Sequence, residues 1–220
     1  MADLPRRLAA EAIGSAFLVG TVIGSGVMAA RLADGNVALM LLANTLATGA
    51  ILTVLIAMFG PVSGAHFNPV VTLVLLLRGE VRSPDAAAYG VAEVCGAIAG
   101  VVVAHAMFGL PLLQVGAPVR DGWGQWLGEA VATFGLVLTI FGCRDRPILP
   151  AAVGLYIAAA YWFTASTSFA NPAVTIARAF SDTFAGIAPA SVPAFIVAQV
   201  IGGVGAMVVA RWVFAERARG

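Results

Sequence analysis

Ser63-Gly64-Ala65-His66-Phe67-Asn68-Pro69-Val70-Val71-Thr72 and Ser168-Phe169-Ala170-Asn171-Pro172-Ala173 are the two stretches whose reading decides the fold. Asparagine is among the best helix N-caps and proline suits the first helical position, so Asn-Pro is a compact helix-start signal. One such pair announces an ordinary capped helix. Two at matched positions, each before a short apolar run, are far more specific. The runs are residues 68–77 and 171–180. Ten helical residues rise about 15 Å, which is half a bilayer's hydrocarbon core. Two such pieces meeting tip to tip make one extra span.

Working outward, the rest of the chain is built for lipid. Of 220 residues, 60% are hydrophobic and 10% charged, whereas a soluble domain carries roughly 25% charge. Six further apolar segments are expected as full-length spans, at residues 8–30, 37–59, 86–108, 123–143, 150–164 and 192–214, the fifth being the shortest. Arg6 and Arg7 before the first run mimic a secretory signal, but the run is longer than a signal core and more spans follow, so it reads as a transmembrane helix. The expected class is an all-α integral membrane protein with six transmembrane helices and two re-entrant half-helices. A net charge of +1 excludes the chain as a whole from binding polyanions such as nucleic acid. Cys95 and Cys143 make no disulfide framework and read as buried free thiols, and His105 reads as an interfacial or packed histidine.

An internal repeat organises these segments. Residues 91–108 and 197–214 share eight of eighteen positions without gaps, from Val91/Val197 to Phe108/Phe214. Glu11-Ala12 pairs with Glu129-Ala130, Leu18-Val19 with Leu136-Val137, and Asn68-Pro69 with Asn171-Pro172. The same landmarks recur in the same order, so residues 1–220 read as one channel domain of two repeats, about 8–108 and 123–214. Three spans per repeat is odd, so the second repeat enters from the opposite side and the half-helices approach from opposite faces. Arginine carries the whole orientation signal, since there is no lysine. Arg6, Arg7, Arg78, Arg82, Arg144, Arg146, Arg211, Arg217 and Arg219 fall on one side, against Arg31, Arg120 and Arg178 on the other. That asymmetry predicts both termini in the cytoplasm.

Non-helical backbone at membrane depth survives only where it is buried or lines a watery cavity. Residues 61–67 and 165–170 are non-helical on this layout. They place Gly64, Ala65, His66, Phe169 and Ala170 along a pore. Two half-helix N-termini meeting at the midplane each carry roughly half a positive charge and repel cations and protons. The Asn68 and Asn171 amides can donate to a passing oxygen, and an oxygen held by two donors presents its own hydrogens poorly, which breaks a proton wire. The expected pathway serves water and small uncharged, hydroxylated solutes.

These two stretches resemble the signature loops of the aquaporin, or major intrinsic protein, family, and the similarity covers nearly the whole chain. The resemblance implies a passive channel, a homotetramer in a lipid bilayer with one pore per subunit, and Glu11 and Glu129 accepting hydrogen bonds from the re-entrant loops. It carries the motif roles onto Asn68, Pro69, Val70, Asn171, Pro172 and Ala173, with Val70 standing where alanine is usual. Most members have arginine three residues after the second asparagine; this chain has Val174. The other filter positions correspond to Thr48, Tyr161 and Ser168, and Thr48 replaces the usual bulky aromatic. A filter of this composition is expected to be wide and to lack its fixed cation, since a guanidinium supplies five donors and a permanent charge. Glycerol, urea and neutral metalloids such as arsenite become candidate solutes, and the valine filter resembles a bacterial subgroup associated with arsenic resistance. A bacterial inner membrane is the expected location.

Some readings stay open on the sequence. Arg178 lies one turn beyond Val174 and either reaches the outer vestibule or faces the interface or a neighbouring subunit. Glu93, whose repeat partner is Gln199, is either protonated or hydrogen-bonded in the bundle, or part of a pH-sensitive gate. An inverted-repeat secondary transporter is the alternative to a channel. An intramembrane enzyme lacks support: no metal-ligand spacing and no nucleophile elbow are present, so neither a metal nor a cofactor is expected.

Overall fold

The computed structural model describes residues 2–214, and Arg217 and Arg219 of the orientation argument lie outside the described residues. Eight α-helices follow in order: α1 Leu4–Leu32, α2 Val37–Ser63, α3 Pro69–Leu77, α4 Ser83–Phe108, α5 Trp123–Cys143, α6 Leu149–Phe163, α7 Pro172–Arg178 and α8 Val192–Val213. Five of them, α1, α2, α4, α5 and α8, are long and apolar enough to cross a membrane. Their outward faces carry exposed aliphatic side chains such as Leu46, Leu127, Val91 and Ile201, as a lipid solvent requires.

The fifth segment, expected at 150–164 as the shortest, is α6, a span of 15 residues and about 22 Å of rise. It ends where Thr164 turns to extended backbone and the second loop begins. One expectation is corrected: α2 does not stop at residue 59. It continues through Pro61 to Ser63 before Gly64, at φ 92°, caps it. Pro61 forgoes only one backbone bond, so the last turn survives, and the Gly64 amide closes it onto the Gly60 carbonyl at 3.0 Å.

Small residues set the helix crossings, as expected where lipid offers no hydrophobic drive for association. A Cβ on Gly96 of α4 would collide with the Ala12 carbonyl of α1, and one on Gly202 of α8 with the Ala130 carbonyl of α5. Helices α2 and α6 meet through Gly49 and Gly154, where a Cβ on Gly49 would lie 2.9 Å from the Gly154 carbonyl oxygen. Matched glycines thus close α1 on α4 and α5 on α8. Following the chain from face to face, α1 begins and α8 ends on one face, the termini face, which also receives the outer end of α3. The outer end of α7 lies on the opposite, far face.

Cys95 corrects another expectation. It is free but exposed on α4, and Cys143 is partly exposed; burial in a bilayer is not burial in the protein. His105 is a packed histidine, with its ring nitrogens on the Leu112 carbonyl at 3.0 Å and the Ser181 hydroxyl at 2.9 Å.

Candidate functional site

Each half-helix starts on its asparagine. Asn68 Oδ1 accepts from the Val70 amide at 3.0 Å, and Asn171 Oδ1 from the Ala173 and Val174 amides at 2.9 and 3.3 Å. One side-chain N–H of each then crosses to the other loop: Asn68 Nδ2 donates to the Ala170 carbonyl and Asn171 Nδ2 to the Phe67 carbonyl, both at 2.7 Å. The tips therefore meet, clasped reciprocally. An amide nitrogen has two hydrogens, so each asparagine retains one donor, and both residues line the cavity between the halves.

The loops that deliver the tips match residue for residue. Three and one positions before each asparagine the backbone is left-handed: Ala65 at φ 51° and Phe67 at 48°, Ser168 at 51° and Ala170 at 49°. A non-glycine residue in that region costs about 1–2 kcal/mol. A buried carboxylate holds each loop there. Glu11 accepts from the His66 and Phe67 amides at 3.1 and 2.6 Å, and Glu129 from the Phe169 and Ala170 amides at 2.8 Å each. Gln199 adds a third bond to Glu129 at 2.6 Å and binds Thr175 at 2.8 Å. At the repeat-related place Glu93 accepts from the Thr72 hydroxyl at 2.9 Å, and Thr72 Oγ1 lies 2.8 Å from His66 Nδ1. Since Thr72 donates to Glu93, its oxygen accepts the hydrogen bond from His66 Nδ1–H, which leaves Nε2 as the ring's acceptor. Glu93 is thus a hydrogen-bonded member of the bundle.

A cavity of about 110 Å³ runs past the tips, with room for several waters. Toward the termini face its walls are aliphatic: Leu75, Ile140 and Leu149. At its waist stand Gly64, Ala65, His66, Phe169 and Ala170 with the two asparagines. Toward the far face stand Thr48, Tyr161, Ser168 and Val174, with Tyr161 Oη 3.4 Å from Thr48 Oγ1. Pro69, Val70, Pro172 and Ala173 form the first turns of α3 and α7 and do not line it. Sequence reasoning missed the aliphatic walls, because which face of each apolar span turns inward leaves no polar mark.

Of the two readings left open for Arg178, the structure favours the inward one: it is 2% exposed and lines the cavity beyond Val174, so a guanidinium stands one turn above the position Val174 occupies. Its Nε donates to the Ala185 carbonyl and its guanidinium lies on the Phe169 ring, 3.4 Å from the centroid. Arg120, from the loop between α4 and α5, lies on the same ring at 4.9 Å. Burial holds the Arg120 guanidinium below the usual arginine range, opposed by Glu129 and Tyr161. No sequence signal pointed to Arg120, whose place depends on how its loop closes.

Helices that cross a bilayer, two clasped half-helix tips and a cavity reaching past them from one half of the molecule to the other define a membrane channel. The profile of the family described as Major intrinsic protein matches residues 1–149, and the chain belongs to that family, whose members are channels rather than enzymes. It is 56% identical over 212 residues to the aquaglyceroporin AqpS of Rhizobium meliloti (strain 1021), covering 96% of this chain and 91% of that protein. It is 30% identical to aquaporin Z of Bradyrhizobium diazoefficiens, covering 96% and 94%. The X-ray structure of the aquaglyceroporin from Plasmodium falciparum shares the fold, with a TM-score of 0.74 at 19% identity over 93% of this chain and 94% of that one.

Proposed function

We propose that this channel passes uncharged solutes larger than water: glycerol, urea and neutral metalloids such as arsenite. The observation that carries the reading is Val174, which stands in the cavity wall with Thr48, Tyr161 and Ser168. An isopropyl group there neither fills the space of a guanidinium nor presents donors to it, and threonine opposite leaves the width that a bulky aromatic would take. These four residues form the filter, His66 and the loop backbone line the approach, and Asn68 and Asn171 orient the solute at the waist. The 56% identity to a protein named an aquaglyceroporin supports the same reading.

Residues 1–220 work as one channel domain, with repeats at about 8–108 and 123–214 that bring one half-helix from each face. Four copies assemble in the bilayer with one pathway each, by analogy with the family. Both termini face the cytoplasm of a bacterial inner membrane, as the arginine asymmetry indicates. The test is stopped-flow light scattering on reconstituted liposomes, comparing water, glycerol, urea and arsenite for wild type and Val174→Arg. The arginine variant is expected to keep water flux and lose at least about tenfold in glycerol flux, a barrier rise of roughly 1.4 kcal/mol. Undiminished flux of the larger solutes through Val174→Arg would refute the wide filter.

A further inference from the structure

We propose that Arg178 is the specificity-determining donor of the pathway, displaced one helical turn outward from the place Val174 occupies. Four residues along α7 move it about 6 Å toward the far face. This rests on reading the cavity as the conducting route. The guanidinium lines that cavity and is almost wholly buried, yet its Nη1 is enclosed with no acceptor from the protein. Neither Arg178 nor Arg120 enters an ion pair among the described residues. A buried donor without a partner is costly, so a passing solute oxygen is the acceptor this mouth is short of.

The guanidinium is also held in place before any solute arrives. Its Nε is spent on the Ala185 carbonyl and its face on Phe169. Its own carbonyl accepts from the Ser181 and Ile187 amides, both at 3.3 Å. Around it the loop after α7 is laced to the loop before α5: Gln114 N to the Phe180 carbonyl at 3.1 Å, Gly116 N to the Ala179 carbonyl at 2.9 Å, and Ala188 N to the Pro118 carbonyl at 2.7 Å. A fixed donor loses little freedom on engaging a solute. The pathway thus separates two properties. Val174 leaves the narrow zone wide, while Arg178 above it selects hydroxyl and carbonyl oxygens and, with Arg120 behind the same ring, turns cations away.

Liposomes carrying full-length protein decide this by three fluxes: water, glycerol and sodium. Arg178→Leu is read by its glycerol-to-water flux ratio and its sodium leak. The glycerol-to-water ratio falls several-fold and sodium leak rises at least about tenfold, the scale of one charge-assisted hydrogen bond. In Arg178→Lys the ammonium keeps sodium leak low while the glycerol-to-water ratio still falls, because the planar fork is gone. Moving the guanidinium inward in the double variant Val174→Arg with Arg178→Leu restores low sodium leak and shuts out glycerol. Unchanged ratio and leak in Arg178→Leu overturn the inference. If that variant does not fold, an unchanged glycerol-to-water ratio in Arg178→Lys overturns the donor role by itself. Wild-type liposomes with no flux above protein-free ones would instead refute the channel reading, and the inference with it.

Discussion

Phe67 and Ala170 hold left-handed backbone immediately before the two asparagines, and their amides reach the carboxylates of Glu11 and Glu129. The strain and the carboxylate belong together: two left-handed residues before an extended asparagine aim the half-helix tip, and only a buried acceptor satisfies the amides left behind. Glu129→Ala leaves the Phe169 and Ala170 amides unpartnered in a buried site and removes one of the two acceptors of Gln199. Bonds to charged groups contribute about 1.5–3 kcal/mol each, so the variant is expected to lose at least ~3 kcal/mol, read as a large fall in melting temperature in detergent. A fall equivalent to under ~1 kcal/mol would show the loop holds itself. Glu129 was legible as a repeat-matched glutamate at membrane depth. Arg178 was half-legible: its spacing put it one turn above Val174, but whether it turned inward depended on Ala185, seven residues later, offering its carbonyl.

Among the elements, the helix crossings are set by backbone contact. Gly96→Leu forces a side chain into the Ala12 carbonyl and Gly202→Leu into that of Ala130. Either should prevent recovery of a monodisperse protein by size-exclusion chromatography, whereas Gly90→Leu, with open space around its Cβ, should not. At the termini face Glu80 clamps the end of α3 to the end of α5. Arg144 grips it in bidentate fashion at 3.1 and 2.6 Å, and Arg78 adds a bond at 2.6 Å. The hydrogen bond from Arg144, then that from Arg78, hold its carboxyl below the usual range against partial burial. A carboxylate lowered on folding stabilises above its unfolded value, 4.5, and loses that stabilisation as pH falls through the lower folded value. Glu80→Gln should therefore cost about 1 kcal/mol at pH 7, and its melting temperature should converge with wild type only once the pH falls below the lowered folded value. A gap that persists there would deny the ion-pair origin. The half-helices were legible because Asn-Pro is a local start signal. The run of α2 through Pro61 was not, because the Gly64 cap decides where that helix ends.

For the whole molecule, the arrangement follows from counting: three spans and a half-helix per repeat bring the N-terminus and the end of α8 to one face. A fluorescent protein fused after residue 220 is expected to mature in a bacterial host, and a periplasm-dependent phosphatase at the same place to stay inactive. The reverse pattern would invert the arginine reading. The overall fold was legible in the repeat landmarks and the apolar runs. The cavity walls were not, since Leu75, Ile140 and Leu149 differ from lipid-facing leucines and isoleucines only in which way the packed helix turns them. The claim on which the account turns is that one route past the clasped asparagines admits more than water. The direct measurement is glycerol permeability of wild-type liposomes relative to protein-free ones, with ion gradients collapsed. The account predicts glycerol flux well above the lipid background, rising in proportion to the gradient and indifferent to ions. Water flux without glycerol flux, or glycerol uptake that stops when the ion gradients are removed, would contradict it.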